Sequence, residues 1–149
     1  MTGPWSDPAA HERFLEHRIE TGFGEGLGYW SIFPKQDPRH FLGWVLLIPY
    51  DAIGPEIEIG WRLARKAWGH GYATKAALPI ATHALYDKQL PEIVADIHAA
   101  NVASMRVAEK VGMRDHGQST HDGMPSRRYR MTRQDYLRQT IDPVREIRR

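Results

Sequence analysis

The chain has 149 residues, 42% hydrophobic and 26% charged side chains, and no cysteine. One domain is the prior at that length, and the missing cysteine excludes a disulfide scaffold, a zinc ribbon, a CxxC redox centre and a thiol nucleophile. No stretch approaches the roughly 18 apolar residues of a membrane span, and the first ten residues carry no basic, then apolar, export signal. The expectation is a cytoplasmic protein with no membrane partner. Net charge is +2 but uneven: from residue 127 to 149 eight arginines stand against Asp135, Asp142 and Glu146, a net +5, leaving −3 elsewhere. Such a basic end suits nucleic acid or an acidic protein. Without RNP-like aromatics or zinc-finger spacing, a solvated last strand and helix is the better reading.

In chain order, Asp7 and Pro8 read as the start of a helix over 8–20, with Phe14, Leu15 and Ile19 on one face and Gly22 or Gly24 as its stop. Three strand-like runs follow, at 27–33, 41–48 and 56–63, separated by segments dense in turn formers. The third alternates: Ile57, Ile59, Trp61 and Leu63 on one face, Glu56, Glu58 and Gly60 on the other. Residues 71–86 change to helical period, with an alanine-rich stripe suited to close packing on a sheet. Pro79 falls inside it, and an interior proline predicts a kink. A strand at 92–97, a helix over 102–111, strands at 113–119 and 126–131 joined by a turn at 121–125, and a further helical pattern from Arg133 complete the order. One domain spans 1–149, with 132–149 as a basic tail. Hairpins in front and strand-helix-strand units behind predict an α/β fold on a mixed sheet, antiparallel in its first half.

Two segments carry chemistry. In Trp61 to Thr74 a strand ends near Leu63, a basic loop with Arg65 and Lys66 follows, and Gly69-His70-Gly71 opens a helix. A helix start has amide hydrogens without partners and the positive end of the macrodipole, and glycines let a phosphate approach. This is a diphosphate cradle in its essentials, although such glycine pairs also occur as ordinary turns; it is neither a Walker A loop nor a complete GxGxxG fingerprint. The second segment runs from Asn101 to Met113. Asn101 caps a helix, Ser104 lies three residues on, and Gly112 stops it; taken alone this is a capped helix and nothing more.

Together the two segments resemble the GNAT superfamily of N-acetyltransferases, and within it the branch of the ribosomal-protein N-terminal alanine acetyltransferases. Trp68-Gly69-His70-Gly71-Tyr72-Ala73 occupies the acetyl-CoA motif, with Trp68 in place of Gln or Arg. Asn101-Val102-Ala103-Ser104 and Glu109-Lys110-Val111-Gly112-Met113 match the branch's later motif, with Met113 at the aromatic's place. Residues 56–61 look like its fourth strand, and the resemblance covers about 26–131. It implies a GNAT-like, mostly antiparallel sheet flanked by helices. The superfamily's first strand and helix, which help form the acceptor pocket, would precede the helix at 8–20, and this sequence has no room for them. Lys75 stands where the branch often has Glu, putting a cation in the first helical turn.

By resemblance, acetyl-CoA is the co-substrate, held by Trp61, Leu63, Trp68, Gly69, His70, Gly71, Tyr72, Ala73, Thr74 and Asn101. The acceptor is a primary amine, a protein N-terminus or a small amine, attacking directly in a ternary complex. Glu58, projecting on the polar face of its strand, is the candidate general base and Glu56 the reserve; a solvent-facing strand carboxylate is the competing reading of Glu58. Some members place a tyrosine seven residues after the asparagine to protonate the thiolate. Ala108 stands there, and Ser104 is the available hydroxyl. Arg106 and Lys110 are within reach of nucleotide phosphates or simply solvated. The eight histidines show no ligand spacing and no metal is expected. A homodimer stays open. A catalytically silent acyl-CoA-binding module is the alternative, and nucleic-acid binding the weaker third.

Overall fold

A computed structural model of the chain describes residues 22–141 and Ala9. The helix expected over 8–20 lies, Ala9 apart, outside the described residues, as do residues 142–149 of the basic tail. The strands are β1 (Gly28–Ile32), β2 (Gly43–Pro49), β3 (Ile57–Leu63), β4 (Glu92–His98), β5 (Arg114–His121) and β6 (Met124–Thr132). The helices are α1 (Tyr72–Thr82), α2 (Val102–Val111) and α3 (Arg133–Ile141).

The six strands form one sheet in the order β1-β2-β3-β4-β6-β5. Every pairing is antiparallel except β3 with β4, whose parallel register is confined to one pair, Glu58↔Val94. Past that pair the two strands part, and the rest of β3 loses β4 as a neighbour. The expected α/β, mostly antiparallel sheet flanked by helices is the observed one.

Strand alternation divides the sheet into two unlike faces. Val45 and Leu47 of β2, Ile59 of β3, Ile93, Ala95 and Ile97 of β4, and Tyr129 and Met131 of β6 join the small residues of α1 and α2 in the main core. Ile57, Trp61 and Leu63 pack against it, as the alternation in β3 predicts. Tyr136 brings α3 to the same core. Among the described residues the opposite face carries an apolar cluster over β1 and β2, where Trp44, Leu46 and Ile48 pack with Phe23 and Tyr29; over β3, β4 and β6 it is mostly charged, with Val94 the buried exception.

One expectation is met and one is corrected. The helix at 71–86 continues through Pro79 and changes pitch only at His83–Asp87, a π-helical turn. The proline removes one amide hydrogen, and the surrounding alanines Ala77, Ala81 and Ala84, all buried, hold the helix on the sheet regardless. The turn expected over 121–125 is only Asp122 and Gly123, both at positive φ, 51° and 73°. That Asp-Gly pair suits a tight two-residue hairpin, so β5 and β6 run longer than their composition suggests. Pro125 sits inside the ladder opposite Thr120.

Candidate acetyl-CoA site and the polar face beside it

After β3 a short 3-10 turn at Arg65–Ala67 leads through Trp68 and two glycines into α1. Gly69 and Gly71 have φ of +80° and +76°, the left-handed region that disfavours side chains, and a Cβ at either would meet nothing within 4 Å. Among the described residues, no side chain caps the start of α1, and its first turn holds no acidic group. The result is a cluster of outward amide hydrogens and the positive end of a helix dipole facing open space. Arg65, Lys66, His70 and Lys75 surround it, all exposed, with Tyr72, Ala73 and Thr74 half-buried in the first turn.

Trp68 is 58% exposed, yet its indole N–H donates to the Leu63 carbonyl at 3.1 Å and the Arg65 guanidinium stands 5.7 Å from its ring centroid. The side chain thereby ties the glycine loop back to the end of β3. Asn101 behaves differently from the first glycine segment: its Oδ1 accepts the Ser104 backbone N–H at 3.1 Å, closing the start of α2. The helical range, cap and Gly112 stop of α2 are those read from the sequence. Ala108 is fully buried, and Arg106 and Lys110 lie exposed on the helix surface.

Glu58 is half-buried at the point where β3 and β4 part and is engaged within the fold. By alternation it leaves β3 on the face away from α1 and α2, whereas Ser104 belongs to α2. The two candidate catalytic residues therefore belong to opposite faces of the sheet. Glu56 is differently placed: its carboxylate accepts from Arg128 at 3.2 Å and pairs with Arg130 at 3.1 Å, and Arg130 also bonds Glu92 at 2.7 Å.

Beside these lies a network that sequence reasoning missed. Asp96, on the same face of β4 as the Glu58 partner Val94, has a side chain only 1% exposed. It accepts two bonds from Arg128, at 2.5 and 3.0 Å, one from the Tyr50 hydroxyl, and one from Ser119 at 3.3 Å. Burial alone would raise the Asp96 pKa; the bonds from Arg128 and Tyr50, with the charges of Arg128 and His121, outweigh it and hold the carboxyl below its ordinary range. Burial, then the bond to Asp96, pushes the Tyr50 phenol up, and the Asp96 bond likewise raises Arg128. His121 Nδ1 lies 3.2 Å from the Tyr50 oxygen, its ring edge-on to the phenol. The signal available in the sequence was a lone acid inside the apolar run 93–97, because a buried carboxylate needs partners. Which partners it has depends on the strand order.

With this geometry in place, the comparisons are specific. Residues 1–114 match the family model of the acetyltransferase (GNAT) domain, and the chain belongs to that family. It is 37% identical over 99 residues to the uncharacterized protein YkkB of Bacillus subtilis, covering 64% of this chain and 55% of that one. It is 29% identical over 129 residues to the FsC-acetyl coenzyme A-N(2)-transacetylase of Aspergillus fumigatus, covering 76% and 53%. The chain thus spans about half the length of these curated relatives. Among solved structures, the acetyltransferase from Agrobacterium tumefaciens str. C58 superposes with a TM-score of 0.69 at 26% identity, covering 87% of this chain and 74% of that one.

Proposed function

We propose that the protein is an acetyl-CoA-dependent N-acetyltransferase acting on a primary amine. The observation that carries this reading is the uncapped start of α1 behind two positive-φ glycines, at the end of the strand that has lost its neighbour. A diphosphate fits such a cradle: it needs amide donors, positive potential and no competing acid, and all three are present. Gly69, His70, Gly71, Tyr72, Ala73 and Thr74 would hold it, with Trp68 fixing the loop that presents them. The end of β3 that β4 no longer pairs, at Trp61 and Leu63, offers backbone groups to the rest of the cofactor. Asn101 caps α2 through its Oδ1, and its side-chain N–H groups would be the part that serves the cofactor. When bound, acetyl-CoA supplies an activated thioester carbonyl and a thiol leaving group.

The chain's own residues would then do three things. They hold two reactants in one complex, the largest entropic share of such a transfer. Backbone N–H groups at the splayed end of β3 stabilise the developing oxyanion. Glu58, on the acceptor side of the gap, takes a proton from the incoming amine, directly or through water. Ser104 is the hydroxyl from the other side. The likeness to the N-terminal alanine acetyltransferase branch and the N-acetylating activity named for the Aspergillus relative favour an amine acceptor.

Titrating acetyl-CoA into the protein by calorimetry tests the binding half, and free-thiol release with a panel of amines tests the transfer half. Glu58→Gln is expected to lower turnover about a hundredfold while leaving acetyl-CoA affinity within twofold. Tight binding with no acetylation of any amine would instead favour a silent acyl-CoA-binding module.

A further inference from the structure

The Tyr50 hydroxyl has a single hydrogen and two neighbours that call for it, the Asp96 carboxylate and His121 Nδ1. Asp96 is buried, ionised and paired with Arg128, so it has no proton to give. An ionised carboxylate can only accept, which assigns the phenol's hydrogen to it. The phenolic oxygen is then an acceptor toward His121, and Nδ1 must carry the hydrogen of the neutral imidazole. Its lone pair is left on Nε2.

We infer that Asp96, Tyr50 and His121 form a relay that fixes the tautomer of His121 and presents Nε2 as a proton acceptor on the charged face of the sheet. The charged surroundings from each packed element suit that role. Asp122, in the β5–β6 turn, has its carboxylate 3.4 Å from Nε2, where it draws a proton to that nitrogen and competes with the Tyr50 contact in the neutral ring; with Asp96 on β4 3.9 Å from Nδ1, an imidazolium formed here sits between two carboxylates. Arg128 on β6, whose guanidinium lies 4.8 Å over the Tyr50 ring, is already committed to Asp96 and Glu56. Asp51 is the remaining charge felt by Tyr50. The described helices all pack on the other face, and the relay shares its face with Glu58: Asp96 is the next outward residue after Val94, and the Tyr50 backbone N–H donates to the Glu56 carbonyl at 2.8 Å.

The inference rests on the transferase reading only for the proton's source. An acceptor amine arrives as an ammonium. One N–H bond breaks, its electron pair stays on the amine nitrogen, an Nε2–H bond forms, and the imidazolium later returns the proton to solvent. Glu58 faces the reacting gap; His121, on the hairpin, would deprotonate the amine on its way in. Tyr50 and Asp96 are positioning residues.

Long-range proton–nitrogen correlation on nitrogen-15-labelled protein reads the tautomer directly, with His121→Gln identifying the resonance among the eight histidines. The expected result is the Nδ1–H form for His121, moving toward the Nε2–H form in Tyr50→Phe and retained in Asp122→Asn, which removes the carboxylate that draws a proton to Nε2. A wild-type Nε2–H form, or indifference to Tyr50→Phe in a folded variant, overturns the relay. The second arm follows thiol release from acetyl-CoA with spermidine and with an alanine-initiated peptide across pH 6–9. His121→Gln is expected to lower kcat/KM about tenfold at the acidic end, with a smaller loss where the amine is already neutral, and to leave acetyl-CoA affinity unchanged. A profile parallel to wild type, or no acetylation of either amine by a wild type that binds acetyl-CoA, overturns the proton-acceptor role. Failure to bind acetyl-CoA overturns the transferase reading instead, and the tautomer result stands apart from it.

Discussion

Two strand-loop-helix units flank the gap in the sheet, and they manage their polar groups in opposite ways. In β4–α2 everything is closed: Asn101 caps the helix, Gly112 ends it in the left-handed conformation, and the buried Asp96 has four bonds. In β3–α1 the strand loses its neighbour after Glu58, and the helix begins behind two glycines with no capping side chain among the described residues. Leaving a helix start unsatisfied costs stability, and a closed counterpart of the same topology shows that this fold does not require it. On the proposed reading, the open unit is the one that takes the cofactor, and the closed unit is the frame that holds it. Substitutions in the first should change binding more than stability, and those in the second the reverse.

The largest effect is expected from Gly71→Glu. A carboxylate placed about 4 Å from a phosphate near the surface adds repulsion of about 4 kcal/mol, and any side chain at φ of +76° strains the loop. Acetyl-CoA affinity should fall about a thousandfold by calorimetry. Retained affinity would mean that the cofactor does not use this helix start.

Asp96→Asn tests the closed unit. Breaking a buried pair strands Arg128 with half its partners, at about 3 kcal/mol, which for a domain of this size lowers the Tm by about 10 °C. The same carboxylate sets an acid dependence. Its folded pKa lies below the usual value of about 3.9, so its contribution is complete above that value and is lost as pH falls through the lower, folded one. Denaturant titrations from pH 6 down to pH 2 should show this slope in the wild type and a flatter one in Asp96→Asn. Equal slopes would remove Asp96 from the account.

How much of this was legible beforehand follows from how far each signal reaches. The α2 range was readable to the residue because its start and stop are chemical and local, Asn101 and Gly112. The faces of β3 were readable because alternation needs only neighbouring residues. The β5–β6 turn was drawn too wide because Pro125 counts as a turn former by composition, whereas Asp122 and Gly123 alone satisfy the hairpin's positive φ. The Asp96 network was out of reach for a different reason. Its partners lie 46, 23 and 32 residues away in the chain, and only the order β3-β4-β6-β5 brings them together. The glycine loop was found as a motif, but the role of Trp68 was not. Its departure from the family's Gln or Arg becomes intelligible once its indole is seen bonded to Leu63.

Asn101→Ala is a milder probe of the same contrast. Removing the cap oxygen should cost about 1 kcal/mol of stability, read as a shift in denaturation midpoint. Acetyl-CoA affinity should stay within about twofold if the asparagine serves only its helix. A tenfold loss of affinity would place it among the cofactor's own contacts.

The smallest effect is the one whose sign discriminates best. Lys75 lies exposed in the first turn of α1, where the helix dipole disfavours a cation. With no ligand bound, Lys75→Gln should therefore raise stability, by about 0.5 kcal/mol. With a diphosphate at the helix start the same ammonium becomes favourable, so the substitution should weaken acetyl-CoA two- to threefold and flatten the salt dependence of its affinity, because exposed charges are screened. Opposite signs in the free and bound protein identify a charge kept for its ligand. A lysine that is merely solvated would move neither measurement, and one that supports the fold would lower stability in both states.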